Sequence, residues 1–126
     1  MFRGKRVDND DWIEGFYAHS GEKKYILIDN DIAVGYLAMK EVNPDTIGQC
    51  TGLTDKNGKM IFEGDIVNYN GTNHKVVFET RGESAYFGIE ISNIETWGFC
   101  LEVPAKLMNV IGNIHDNPEL LRSDIE

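Results

Sequence analysis

Four groups of residues in this sequence carry side chains that can do chemistry. The first is the acidic run Asp8-Asn9-Asp10-Asp11. A calcium loop of the EF-hand type needs oxygen ligands at alternate positions, a glycine at the sixth and a glutamate at the twelfth. Counted from Asp8, the fifth and sixth positions are Trp12 and Ile13. That loop is excluded, and a solvated hairpin turn is expected. The second group is Cys50 and Cys100 with His19, His74 and His115. There is no C-x-x-C pair and the histidines are scattered singly, so no metal ligands are assigned. Both cysteines fall in strand-like runs, not at a helix start where a thiolate is activated, and reduced thiols are expected. The third is Glu63-Gly64-Asp65-Ile66-Val67, which can pass for a catalytic aspartate loop. The expectation is a bend whose Asp65 accepts hydrogen bonds from nearby backbone. The fourth is Arg3, Lys5 and Arg6 with Trp12 and Tyr17, types that neutralise phosphates and stack on bases.

Thr51-Gly52-Leu53 has neither of the glycine spacings that cradle phosphates. It reads as a strand end with a glycine where the chain bends. No residue is given a catalytic role and no cofactor is implied.

Elements must position these groups. The chain has 126 residues, enough for one domain with one core. Hydrophobic residues make up 41% and charged residues 26%, which argues against a wholly disordered chain. No apolar run approaches the roughly 20 residues of a membrane span. The basic opening, Met1 to Val7, is not followed by an apolar segment, so no signal peptide is expected and the expected address is cytoplasmic. The net charge is −9. In residues 1–24 the bases Arg3, Lys5, Arg6, Lys23 and Lys24 balance the acids, so the deficit lies in residues 25–126. An acidic body disfavours sequence-blind nucleic-acid binding and leaves the N-terminal hairpin as the one basic patch.

Short β-type runs alternate with Gly, Asn and Asp turns. Phe2 to Val7 and Trp12 to Ala18 read as a hairpin, with Trp12, Phe16 and Ala18 on one face and Ile13 and Tyr17 on the other. Lys24 to Ile28 follows; Ile32 to Met39 fits a strand or a short helix. Strands are expected at Thr46–Thr51, Met60–Phe62, Asp65–Tyr69, His74–Thr80, Tyr86–Ile91, Trp97–Val103 and Met108–His115. Asn57-Gly58 and Asn70-Gly71 supply hairpin turns. In His74–Thr80, Val76 and Phe78 should face one way and Lys75, Val77 and Glu79 the other. Asn117 and Pro118 read as the N-cap and first residue of a short C-terminal helix. Strands at this spacing predict a mainly β fold. The expected form is a small, partly open SH3-like barrel over about 46–115. N-terminal strands (1–45) and a short helix and tail (116–126) complete one domain, 1–126.

Three stretches carry a resemblance. Ile47 to Val67 contains Gln49-Cys50-Thr51-Gly52-Leu53-Thr54-Asp55-Lys56-Asn57-Gly58 and then Glu63-Gly64-Asp65-Ile66-Val67. The second is Val110-Ile111-Gly112-Asn113-Ile114-His115-Asp116-Asn117-Pro118-Glu119-Leu120-Leu121, and the third is Phe2-Arg3-Gly4-Lys5 with Trp12-Ile13-Glu14-Gly15-Phe16. In this order they resemble the YopX family of phage- and prophage-borne proteins. Cys50 stands where the family pattern is usually aromatic. The resemblance implies a phage or prophage origin and a mainly β fold, and it brings no catalytic residues. Thr51, Gly52, Asn57, Gly58, Gly64, Asp65, Gly112, Asn117 and Pro118 are therefore read as structural.

The expected function is a non-enzymatic binding module whose partner is a host or phage protein, or a second copy of itself. Nucleic-acid binding through Arg3, Lys5, Arg6, Trp12 and Tyr17 is the alternative. An enzyme or small-molecule binder without a recognised site is the third reading.

Overall fold

The computed structural model describes residues 1–31, 36–92, 95–99 and 103–121. The chain divides into two compact units, Met1–Cys50 and Thr51–Glu126. It is mainly β, as its alternating runs predict, with two antiparallel sheets, neither of them closed. No helix among the described residues is long and apolar enough to cross a membrane.

The first unit is an antiparallel meander of β1 (Phe2–Lys5), β2 (Trp12–Ser20), β3 (Lys23–Asp31) and β4 (Tyr36–Val42). The start of β5 (Gly48–Thr54) pairs beside β1, with Phe2 opposite Gln49. The ambiguous segment Ile32 to Met39 is strand from Tyr36; residues 32–35 lie outside the described residues. The end of β4 bonds back to the end of β1. Val7 N–H donates to Glu41 O (3.1 Å) and Asn43 N–H to Lys5 O (2.8 Å). Ile26 and Val42 are fully buried. Gly4 is buried against Val42, and a Cβ there would lie 3.1 Å from its side chain. Glycine lets β1 approach that closely.

The expected strand at Thr46 begins two residues late. Pro44–Thr46 forms a 3-10 turn instead. The Thr46 hydroxyl donates to Asn43 O (2.7 Å) and accepts from Lys5 N–H (2.9 Å), holding that residue in the turn.

In the second unit the end of β5 lies beside β6 (Met60–Phe62). The remaining strands are β7 (Asp65–Tyr69), β8 (Thr72–Arg81), β9 (Ser84–Ser92), β10 (Glu95–Gly98) and β11 (Asn109–Asn113). Their order is β10-β9-β8-β7-β11. The core holds Ile61, Val67, Val76, Ile89, Phe99, Val103, Ala105 and Met108. Each large apolar side chain buried there contributes about 1.5–3 kcal/mol.

One expectation changes here, and the pairing adds three details. The first part of β8 pairs with β7 and the rest with β9, and Val76 and Val77 are both buried. Phe78 stacks on Phe87 (centroids 4.8 Å apart) but is 44% exposed. The strand expected from Trp97 to Val103 is shorter. β10 ends at Gly98, and a bridge joins Phe99 to Val103 around residues 100–102, which lie outside the described residues. In β11, Ile111 is the extra residue of a bulge, since Val110 pairs with Val67 and Gly112 with Ile66.

The C-terminal helix is not formed; Pro118–Leu121 is a single 3-10 turn. The Asn117 side chain, expected as a helix cap, turns back over Gly112. Its Oδ1 accepts from Asn113 N–H (3.3 Å). An oxygen engaged by β11 does not cap a helix. Asn113 Oδ1 in turn accepts from His115 N–H (3.0 Å) and Asp116 N–H (2.9 Å).

Candidate functional site

The acidic motif residues are tied into backbone. Asp65 is 1% exposed, and its Oδ2 accepts from Phe62 N–H (2.8 Å) across the bend at Gly64, where φ is +92°. Thr51 Oγ1 donates to Ile61 O (2.8 Å) and accepts from Leu53 N–H (3.1 Å), around Gly52 at φ +81°. In the next turn only Gly58 takes positive φ (+80°); Asn57 instead sends Nδ2 to Asn109 Oδ1 (2.8 Å). Pro118 opens the terminal 3-10 turn, held to β8 by Asn73 Nδ2 on Leu120 O (2.8 Å).

Sequence reading missed Asp55. It is 3% exposed, and its carboxylate accepts three backbone N–H bonds. Oδ1 takes Asn57 (2.8 Å) and Lys59 (2.9 Å), and Oδ2 takes Val110 (2.9 Å) of β11. Burial pushes its pKa up, but the three N–H groups with nearby Lys59 outweigh it and hold the carboxyl below its ordinary value. The Asp-x-Asn-Gly spacing signals the first two bonds as an Asx turn. Nothing local signals the third.

The basic and aromatic set of the N-terminal hairpin splits. Arg3 and Lys5 stand on one face of β1, and both lie over Trp12 of β2, at 4.8 and 5.5 Å from its ring centroid. This follows from register, because Lys5 pairs with Trp12 and Arg3 with Glu14. Tyr17 is on the opposite face, 5.5 Å from the Phe2 ring. Arg6 is engaged by Asp8 through Nε (2.9 Å) and Nη2 (2.6 Å). That pairing lowers the Asp8 pKa and raises that of Arg6. The acidic run is a turn with its own bonds: Asn9 Oδ1 accepts from Asp11 N–H (2.9 Å) and Asp10 takes φ +60°.

On the Trp12 face an apolar row crosses three strands. Phe16 of β2 pairs with Leu27 of β3, which pairs with Met39 of β4. Directly paired residues share a face. Phe16 is 67% and Met39 57% exposed.

The motifs thus lie in one continuous order from β1 to the terminal 3-10 turn. The YopX protein family model matches residues 1–122. The chain belongs to the YopX family. Among solved structures, this YopX chain is similar to the crystal structure of protein EF1440 from Enterococcus faecalis. The TM-score is 0.55 and the identity 26%, over 96% of each chain. No curated protein matches the sequence.

The remaining candidates for chemistry sit apart. Cys50 is a half-buried thiol of β5, and Cys100 lies outside the described residues. His74 Nδ1 donates to Glu90 O (3.2 Å), and its Nε2 meets the Thr72 hydroxyl (2.8 Å). His19 lies beside Tyr17, and His115 beside Gly64. Among the described residues no group of three His, Cys, Asp or Glu gathers into a metal ligand set. On one sheet face of the first unit, Arg3 and Lys5 lie over Trp12, and Phe16 and Met39 are exposed at the ends of a row through Leu27.

Proposed function

We propose that this YopX chain is a small non-enzymatic binding module of phage or prophage origin, acting in the host cytoplasm by holding a protein partner or a second copy of itself. The observation that carries the reading is the row Phe16, Leu27 and Met39, exposed at both ends, on the sheet face that also carries Trp12. Aromatic and Met side chains in such a patch are the types that anchor protein interfaces. The order β10-β9-β8-β7-β11, with a 3-10 turn directly before β11, supports an SH3-like barrel in the second unit as the scaffold.

The test is retention of host proteins on the immobilised full chain, with and without nuclease, alongside sedimentation across a concentration series. Both are repeated with Phe16→Ser. A nuclease-resistant partner or a dimer is expected, and Phe16→Ser should weaken it tenfold or more, about 1.4 kcal/mol. The substituted side chain is mostly in water, so the melting temperature should hold. An association indifferent to Phe16 would refute the reading.

Nucleic-acid binding is the second reading, favoured by Arg3 and Lys5 over Trp12. Arg6 is already engaged by Asp8, Tyr17 faces away, and the chain carries −9. If phosphates are contacted, affinity for a single-stranded oligonucleotide falls steeply with salt. Salt-independent or undetectable binding removes this reading.

A further inference from the structure

The second unit carries an apolar cleft of about 390 Å³ lined by Leu53, Thr54, Pro104, Ala105 and Lys106. Its walls follow from sequence. Pro104 cannot donate to a ladder, and the chain turns there into a 3-10 turn, Ala105–Leu107. Leu107 and Met108 N–H groups bond back to Pro104 O (3.2 Å) and Ala105 O (3.0 Å). Ala105 is buried and small, which leaves the hollow unfilled, while Leu53 packs against the core. Leu107 stands beside the cleft residues, 65% exposed.

Lysines stand on the two described segments that carry the cleft's walls. The Lys56 N–H donates to Met108 O (2.9 Å), which seats the turn carrying Lys56 and Lys59 next to the segment carrying Lys106. All three lysines are exposed. The one acid within that turn, Asp55, is buried with its oxygens held by backbone. Asp55 keeps its charge, so the three lysines leave an excess of two positive charges over these two segments, in a chain of net charge −9.

We propose that the cleft is a docking site for an extended peptide segment of a partner protein, with one or two large apolar side chains flanked by carboxylates. The volume lies at the low end of the roughly 300–1,000 Å³ of ligand pockets. It suits a side chain or two rather than a whole cofactor. Lys106 lines the cleft itself and Lys56 and Lys59 stand on a second segment, so charge is offered from two segments rather than from one point. Lysine, a point charge, suits carboxylates without demanding bidentate geometry. The proposal does not rest on the apolar row of the first unit.

The probe is a short fluorescein-labelled peptide with a central Leu-Ile pair between glutamates, titrated against the full chain. Anisotropy gives affinity and amide chemical shifts give location. Expected are shifts at Leu53, Ala105 and Leu107, and a control peptide with lysines for glutamates that does not bind. Lys56→Glu with Lys106→Glu, and separately Leu107→Ser, should each weaken binding roughly tenfold. These variants alter exposed side chains, and unchanged melting curves confirm folding. Absence of shifts at millimolar peptide, shifts confined to Phe16, Leu27 and Met39, or equal binding of the lysine peptide would overturn the proposal. So would a wild-type dimer that Leu107→Ser dissociates, since the cleft would then hold a second copy.

Discussion

Replacing Asp55 tests whether the turn from Asp55 to Lys59 is anchored by a charge. The wild-type carboxylate holds Asn57, Lys59 and Val110 N–H groups at 2.8, 2.9 and 2.9 Å. A hydrogen bond to a charged acceptor contributes about 1.5–3 kcal/mol, and a buried donor left bare costs about 1–3 kcal/mol. Asn57 and Lys59 are exposed residues whose N–H groups water can reach after Asp55→Ala. The Val110 N–H belongs to a partly buried residue packed against the core and is the least open of the three to water. The expected loss is about 3–4 kcal/mol for Asp55→Ala, against the roughly 5–15 kcal/mol of a typical domain. Asp55→Asn keeps one oxygen for Asn57 and Lys59 but turns an amide NH₂ toward Val110, and about 2 kcal/mol is expected. Urea unfolding near neutral pH measures both. The pH dependence follows from the depressed pKa. The ionised group stabilises the folded state above its ordinary value of 3.8, and that contribution is lost as pH falls through the lower folded-state value. The gap between wild type and Asp55→Asn should therefore narrow in acid. An Asp55→Asn protein within about 0.5 kcal/mol of wild type, or a gap unchanged down to about pH 3, would refute the account.

Gly112→Ala places a Cβ 2.5 Å from Asn117 Oδ1 and should cost about 1–2 kcal/mol. In an Asn117→Ala background the cost should fall, because only the contact with the Cβ of residue 117 at 3.0 Å remains, a coupling that a double-mutant cycle in urea reads directly. Gly15→Ala drives a Cβ into the Leu27 carbonyl, a backbone atom that cannot swing aside. Loss of folding or at least about 3 kcal/mol is expected, and a protein that melts like wild type contradicts it. Arg6→Ala should leave the melting temperature unmoved, because the Asp8 pair is open to water. A clear drop would show that the turn depends on the pair.

Elements whose cause is local were legible in the sequence. Met60–Phe62 and Asp65–Tyr69 are strands with the expected bounds, set by flanking turn residues. Asn70 (φ +54°) and Gly71 (φ +85°) form the turn that their types demand. Trp12 and Tyr17 take opposite faces because strand alternation puts them there. What was not legible depends on partners distant in sequence. Thr46 stays out of β5 because Lys5, 41 positions away, donates to its hydroxyl. Asn117 does not cap a helix because β11 takes its oxygen first. Of the site, cations and aromatics could be named, but the row Phe16, Leu27 and Met39 exists only through the register of three strands.

The bond from Val110 to Asp55 spans 55 positions, and β11 is the last strand of the described chain. Chains are synthesised from the N-terminus, so the turn at Asp55 emerges first and closes on the two donors within it while its charge is still hydrated. Only the arrival of β11 dries the carboxylate and covers the open edge of β7. Pairings this distant form slowly, and until then β7 presents unpaired backbone to any neighbour. During its own synthesis the molecule is exposed to mispairing at that edge until β11 has left the ribosome.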